Sequence, residues 1–129
     1  PDWQDEMRYL LTGTSVALLN PRRADFPIGD PAAARAQITW EFEHLRKATC
    51  ILFWFPKETL CPIVLYELGA WSNSAKSILV GLHPDYKRRQ DVEIQMALIR
   101  PDNRIAYSLN DLAGCARHWL DRFPEVNDE

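Results

Sequence analysis

No apolar run in this chain approaches the roughly 20 residues that a membrane-crossing helix requires. The N-terminus lacks the basic-then-apolar order of a secretory signal, because Asp2, Asp5 and Glu6 occupy its start. Excess basic charge is missing as well. Fifteen Lys and Arg stand against 18 Asp and Glu, for a formal net charge of −3, and they are scattered except at Arg22-Arg23 and Lys87-Arg88-Arg89. A nucleic-acid polymer is held by a basic face that neutralises its phosphates, so such a polymer is not expected as a partner. The three cysteines, Cys50, Cys61 and Cys115, are odd in number and lack metal-ligand spacing. They read as reduced thiols of a cytoplasmic protein. His44, His83 and His118 are far apart and show no zinc spacing, so no metal site is expected, and each reads as a surface or partly buried side chain. A Walker loop and a Gly-x-Gly-x-x-Gly run are both absent, and no cofactor is expected.

What is present suits one ordinary domain: 129 residues, 47% of them hydrophobic. Trp3, Met7, Leu10 and Leu11 recur at helical spacing and predict a first helix that Gly13 closes. Ser15 to Leu19 reads as a short buried strand, and the Pro- and Gly-containing stretch from Asn20 to Pro31 as loop. Ala32 to Ala48 reads as a helix with Ile38, Phe42 and Leu45 on one face and Glu41 beside it. The strand Cys50 to Phe55 follows. Pro62 suits the first turn of the next helix, where its missing N–H would have had no partner, and Lys76 closes that helical region. Ser77 to Gly81 is expected as a strand, Gln90 to Arg100 as a helix and Ile105 to Tyr107 as a short strand. Ser108 to Asp111 resembles a capping box, opening a last helix whose stripe is Leu112, Cys115, Trp119, Leu120 and Phe123.

Strands alternating with helices predict an α/β fold, a parallel sheet with helices on both faces. The pattern opens on a helix where such a sheet ordinarily has a strand. A strand before Pro1 is therefore expected to be missing, and with it the sheet would number about five strands.

Ligands in open parallel sheets sit outside the carboxyl ends of the strands, which selects the loops after Leu19, Phe55 and Gly81. Glu67 follows the second of these loops and is the one charge in the run from Cys61 to Trp71. An unpaired carboxylate is costly to bury, so it takes a partner or a proton, as catalytic carboxylates do, unless it lies on a solvent-facing stripe. Glu41, in the helix before that strand, is a second carboxylate near the same crevice. Such a pair can serve as nucleophile and acid in cleaving a glycosidic bond. Cys61 at a helix start fits an activated thiol, but Glu67 stands where a phosphatase loop requires Arg. Trp40, Trp54 and Tyr66 are each either core or a platform for stacking on a base.

Taken together, Asn20-Pro21-Arg22-Arg23, Gln37-x-x-Trp40-Glu41, Phe53-Trp54-Phe55-Pro56, Pro62-Ile63-x-Leu65-Tyr66-Glu67-Leu68-Gly69, Lys76 and Arg88-x-x-Asp91-Val92 resemble the nucleoside 2-deoxyribosyltransferase-like family over about Asp2 to Val92. The resemblance implies a flavodoxin-like (Rossmann-like) fold and a homo-oligomer whose subunits complete each other's sites. It also implies cleavage of the bond between a deoxyribose and a nucleobase, with a small nucleoside or nucleotide as substrate. By position, Glu67 matches the family's nucleophile, Glu41 a second acidic residue that handles the base, and Asp91 an asparagine that reaches the sugar from an adjacent subunit. Arg22 and Arg23 would contact a phosphate or base edge beside Asn20, and Trp54 the base. Better-studied members carry an Asp where this chain has Cys61. The alternatives are an N-glycosidase acting on another ribosyl substrate such as NAD, and a nucleotide-sensing module that keeps the fold without turnover.

Overall fold

The computed structural model describes residues 3–11 and 31–122. In chain order the elements are α1 (Trp3–Leu10), α2 (Pro31–Lys47), β1 (Cys50–Phe55), α3 (Pro62–Ser72), β2 (Ser77–Leu82), α4 (Arg89–Ile99), β3 (Ile105–Ala106) and α5 (Leu109–Arg122). The strands form a parallel sheet in the order β1-β2-β3, with Phe53 level with Val80 and Val80 level with Ile105. Among the described residues the sheet has three strands, fewer than the five expected, and β1 lies at an edge. The expected strand Ser15 to Leu19 lies outside the described residues.

β1 and β2 read as continuous apolar runs because both faces of the sheet are covered. Ile51, Phe53 and Phe55 of β1 and Ile78, Val80 and Leu82 of β2 pack with Leu68 of α3, with Val92 and Met96 of α4, and with Tyr86. The alternate residues Leu52, Trp54 and Leu79 meet Met7 and Leu11 at α1 and Leu112, Ala113 and Ala116 of α5 on the other face. Gly81 belongs to that second face for a steric reason. A Cβ there would stand 2.9 Å from Trp54 Cε3 and 3.0 Å from Leu112 Cδ2, so the missing side chain is the space the indole occupies.

Several boundaries and stripes differ from the sequence reading. α3 stops at Ser72, short of Lys76, because side chains satisfy its last carbonyls. Asn73 Nδ2 donates to Gly69 O at 2.7 Å, Ser74 Oγ to Trp71 O at 2.6 Å, and Arg100 reaches Trp71 O at 3.1 Å. Lys76 instead closes α2, donating from Nζ to Arg46 O at 2.6 Å and Ala48 O at 2.5 Å while lying over the Trp71 ring. A cation at a helix C-terminus also meets the negative end of the dipole. On α5 the buried residues are Leu112, Ala113, Ala116 and Leu120. Cys115 and Trp119 are only partly covered, and Phe123 lies outside the described residues. Half of the expected capping box forms: Asp111 N–H donates to Ser108 Oγ at 3.0 Å, but the Asp111 carboxylate pairs with Arg104.

The apolar face of α2 is split. Leu45 packs on the core, whereas Ile38 and Phe42 are exposed. On the neighbouring α3, Ile63 and Tyr66 are exposed too, and the Phe42 and Trp71 rings approach to 6.1 Å between the two helices.

Candidate functional site

A cleft of about 400 Å³ runs beside β1. Its walls are Trp40, Glu41, His44 and Leu45 of α2 and Val64 and Glu67 of α3, with Trp3 and Gln4 of α1 and β1 itself, from Ile51 to Trp54, between them. The loop after β1 closes one end with Pro56, Glu58, Thr59 and Cys61. The loop at the carboxyl end of β1, singled out from sequence, thus reaches the cleft. α2 and α3 flank β1 in sequence, and each turns one carboxylate into the space between them.

The start of α3 is built with care. Cys61 precedes Pro62 in the left-handed region at φ 52, ψ 54, a conformation that costs a non-glycine residue about 1–2 kcal/mol. The strain is held by neighbouring bonds. Cys61 N–H donates to Thr59 Oγ1 at 3.3 Å, Leu65 N–H to Cys61 O at 2.9 Å, and the Tyr86 hydroxyl to Leu60 O at 2.6 Å. From this start, Leu68 turns into the core, Tyr66 turns to solvent, and Glu67 between them faces α2.

Glu67 is half-buried, and among the described residues no hydrogen bond or ion pair engages its carboxylate. Burial pushes its pKa up, and the nearby charge of Glu41 pushes it further, since both low polarity and a like charge disfavour ionisation. Glu41 accepts a hydrogen bond on Oε1 from Gln37 Nε2 at 2.9 Å, which orients it. Gln4 Oε1, on the α1 side of the cleft, is buried without a hydrogen-bond partner among the described residues. The cleft thus combines two interacting carboxylates with indole surface from Trp3, Trp40 and Trp54.

The residues read as a site from sequence fall into three groups. Glu67 and Glu41 share the cleft. Trp54 also lines it, but the residue is 6% exposed and packs mainly in the core under α1 and α5. Asp91 is not in the cleft: it sits in the first turn of α4 and pairs with Arg88 at 3.1 Å, both side chains exposed. Asn20, Arg22 and Arg23 lie outside the described residues. Of the three aromatic candidates, Trp40 and Trp54 line the cleft, whereas Tyr66 is 79% exposed. Two residues of the basic cluster at 87–89 are engaged locally, Arg88 with Asp91 and Arg89 donating to Pro84 O at 3.0 Å and lying 3.8 Å from Glu93.

His44, read from sequence as a surface or partly buried side chain, is partly buried and also lines the cleft, which the sequence reading did not anticipate. It lies three positions after Glu41 and four after Trp40, spacings that place all three side chains on one helix face. Read on the helix instead of by zinc spacing, it belongs with Glu41. Among the described residues no group of three or more His, Cys, Asp or Glu is placed to hold a metal ion, and no helix is long and apolar enough to cross a membrane.

A comparison with curated proteins finds no match to the chain. The family model described as nucleoside 2-deoxyribosyltransferase like matches residues 1–86, a stretch that holds α2, β1, α3 and β2, and with them both carboxylates of the cleft. The chain belongs to the nucleoside 2-deoxyribosyltransferase-like family.

Proposed function

We propose that the protein is a glycosyltransferase of the pentosyl class, cleaving the N-glycosidic bond of a deoxynucleoside or nucleotide and passing the sugar to another base or to water. The observation that carries this reading is Glu67: a half-buried carboxylate without a bonded partner among the described residues, beside Glu41 in an indole-lined cleft. Two carboxylates in one site are what displacement at an anomeric carbon uses. Glu67, ionised, attacks C1′ through an oxocarbenium-like transition state and forms a glycosyl-enzyme as the base departs. Glu41, oriented by Gln37, accepts a hydrogen bond from the N–H edge of the base. The indoles supply flat apolar surface against which base and sugar exclude water.

The exposed apolar residues Ile38 and Phe42 on α2 and Ile63 and Tyr66 on α3 support an assembly in which a second copy covers this face. Asp91, outside the cleft in its own subunit, then reaches a site only across a subunit boundary. Arg22, Arg23 and Asn20 keep the role the resemblance implies, at the phosphate or base edge.

Base exchange tests the reading. A 2′-deoxynucleoside is incubated with free adenine and the products are separated by chromatography. New deoxyadenosine with the parent protein, and none with Glu67→Ala, is the expected result. Full exchange by Glu67→Ala would make the glutamate structural. Cleavage of NAD without base exchange would move the substrate to another ribosyl class.

A further inference from the structure

Glycosyl transfer leaves one group unassigned: the source of the proton that the departing base needs. When the C1′–N bond breaks, its electron pair goes to the base, and an unprotonated purine or pyrimidine anion is a poor leaving group. Glu67 must be ionised to attack and cannot supply the proton. Glu41, oriented by Gln37, is assigned above as an acceptor at the base edge, a role that needs its ionised form. His44 also lines the cleft, and an imidazole can both donate and accept a proton.

Its orientation is determined. His44 Nδ1 lies 2.8 Å from the Trp40 carbonyl, and a carbonyl oxygen can only accept, so Nδ1 carries hydrogen in every protonation state of the ring. Nε2 is therefore the atom that gains and loses a proton. The ring is further held against the Trp40 indole, with centroids 4.0 Å apart. Glu43 on α2 interacts with it electrostatically, with Arg46 and Lys47 nearby on the same helix, and the titratable groups that share the cleft with it are Glu41 on α2, Glu67 on α3, and Glu58 and Cys61 of the loop after β1.

We propose that His44 is a catalytic residue of this site, its Nε2 donating a proton to the leaving nucleobase as Glu67 attacks the sugar and recovering one from the incoming acceptor. The inference rests on the glycosyl-transfer reading above. In the first half, the Glu67 oxygen bonds to C1′, the C1′–N bond breaks, and the Nε2 proton of the imidazolium moves to the base, leaving a neutral ring that still donates from Nδ1. In the second half, Nε2 takes the N–H proton of the acceptor base, or a proton of water, as the acceptor bonds to C1′ and the Glu67 carboxylate leaves. Charge and protons balance over the cycle, and no further reactant is required.

A leaving-group comparison separates this role from a structural one. 2′-Deoxyguanosine needs a proton on its base to depart, whereas N7-methylated 2′-deoxyguanosine already carries the positive charge and releases a neutral base unaided. His44→Asn keeps a donor near the Nδ1 position for the Trp40 carbonyl and lacks Nε2. With enzyme in excess over donor, so that only the first half is read, base release by this variant is expected to fall about 10²–10⁴-fold on 2′-deoxyguanosine and by less than about threefold on the methylated donor. The ratio of the two rates within one preparation does not depend on how much of the variant is folded. Equal losses on both donors, or no loss on 2′-deoxyguanosine, overturn the role of His44 while leaving the glycosyl-transfer reading in place. Failure of the parent protein to release base from either donor overturns that reading and this role with it.

Discussion

The Tyr86 hydroxyl donates a hydrogen bond of 2.6 Å to the Leu60 carbonyl, tying the loop after β2 to the residue that precedes the strained start of α3. Tyr86 is buried and stacks on Phe55, with ring centroids 5.1 Å apart. Its phenol is pushed up to about 12, by burial first and then by the neighbouring Cys61. The sequence reading selected the loop after Gly81, which holds Tyr86, as one of three outside the carboxyl ends of the strands. Tyr86 is not among the residues lining the cleft; its bond to Leu60 instead holds the loop that leads into the left-handed Cys61, from which α3, and with it Glu67, takes its direction.

Tyr86→Phe keeps the ring stack and removes the bond to Leu60. The carbonyl loses its donor but lies near the surface, so the expected loss is about 1 kcal/mol of stability, seen as a lower midpoint in urea with an unchanged slope. A variant as stable as the parent would show that the bond does not hold the loop.

Gly81→Ala should cost more, because its Cβ would approach both Trp54 and Leu112 to about 3 Å on a packed face. Overpacking of this kind typically costs about 1–3 kcal/mol. Thermal unfolding of the variant, followed by the near-ultraviolet signal of its indoles, should show a lower midpoint and a disturbed Trp54 environment. A midpoint unchanged from the parent would mean that the indole has room to move.

How far the sequence could be read depended on whether a residue's partners were local. The runs Cys50 to Phe55 and Ser77 to Gly81 were legible as buried strands because bare apolar composition suffices when both faces are covered. Their assignment to faces was not, since it depends on Gly81 vacating space for Trp54 from a strand 27 positions away. On α2 the periodicity placed Ile38 and Phe42 with Leu45, but periodicity reports only a shared face and not what covers it. Glu67 stood out as a lone charge in an apolar helix, and Glu41 became its partner through helix order. His44 was within reach of the same argument. For Asp91 the local pattern explains its pairing with Arg88 within its own subunit and carries no information on a role across a subunit boundary.

Glu67→Gln should stabilise the protein at neutral pH. The folded-state pKa of Glu67 is raised above its ordinary 4.5, so the fold binds this proton more tightly than the unfolded chain does. The favourable contribution is full below about pH 4.5 and is lost as pH rises through the raised folded value, above which the ionised carboxylate is a cost. Glutamine carries no such charge. Thermal midpoints of variant and parent should therefore differ in favour of the variant at neutral pH and converge as pH falls to 4.5 and below. A gap that widens in acid would reverse the sign of the shift.

Glu41→Gln separates the two roles proposed for the carboxylates. Burial is the larger cause of the raised Glu67 value, and the Glu41 charge the second, so neutralising Glu41 leaves the first cause and removes the other. Glu67 then ionises at lower pH, and the acid limb of the kcat/KM profile should move to lower pH with it. The same substitution exchanges a charged acceptor for a neutral one at the base edge. That loss is worth about 1.5–3 kcal/mol, or roughly 10- to 150-fold in kcat/KM, whereas Glu67→Ala should abolish base exchange. The pH profile of the variant checks both parts. An acid limb that stays in place would mean the two carboxylates do not interact across the cleft, and a loss as complete as that of Glu67→Ala would give Glu41 a share in the bond-breaking step itself.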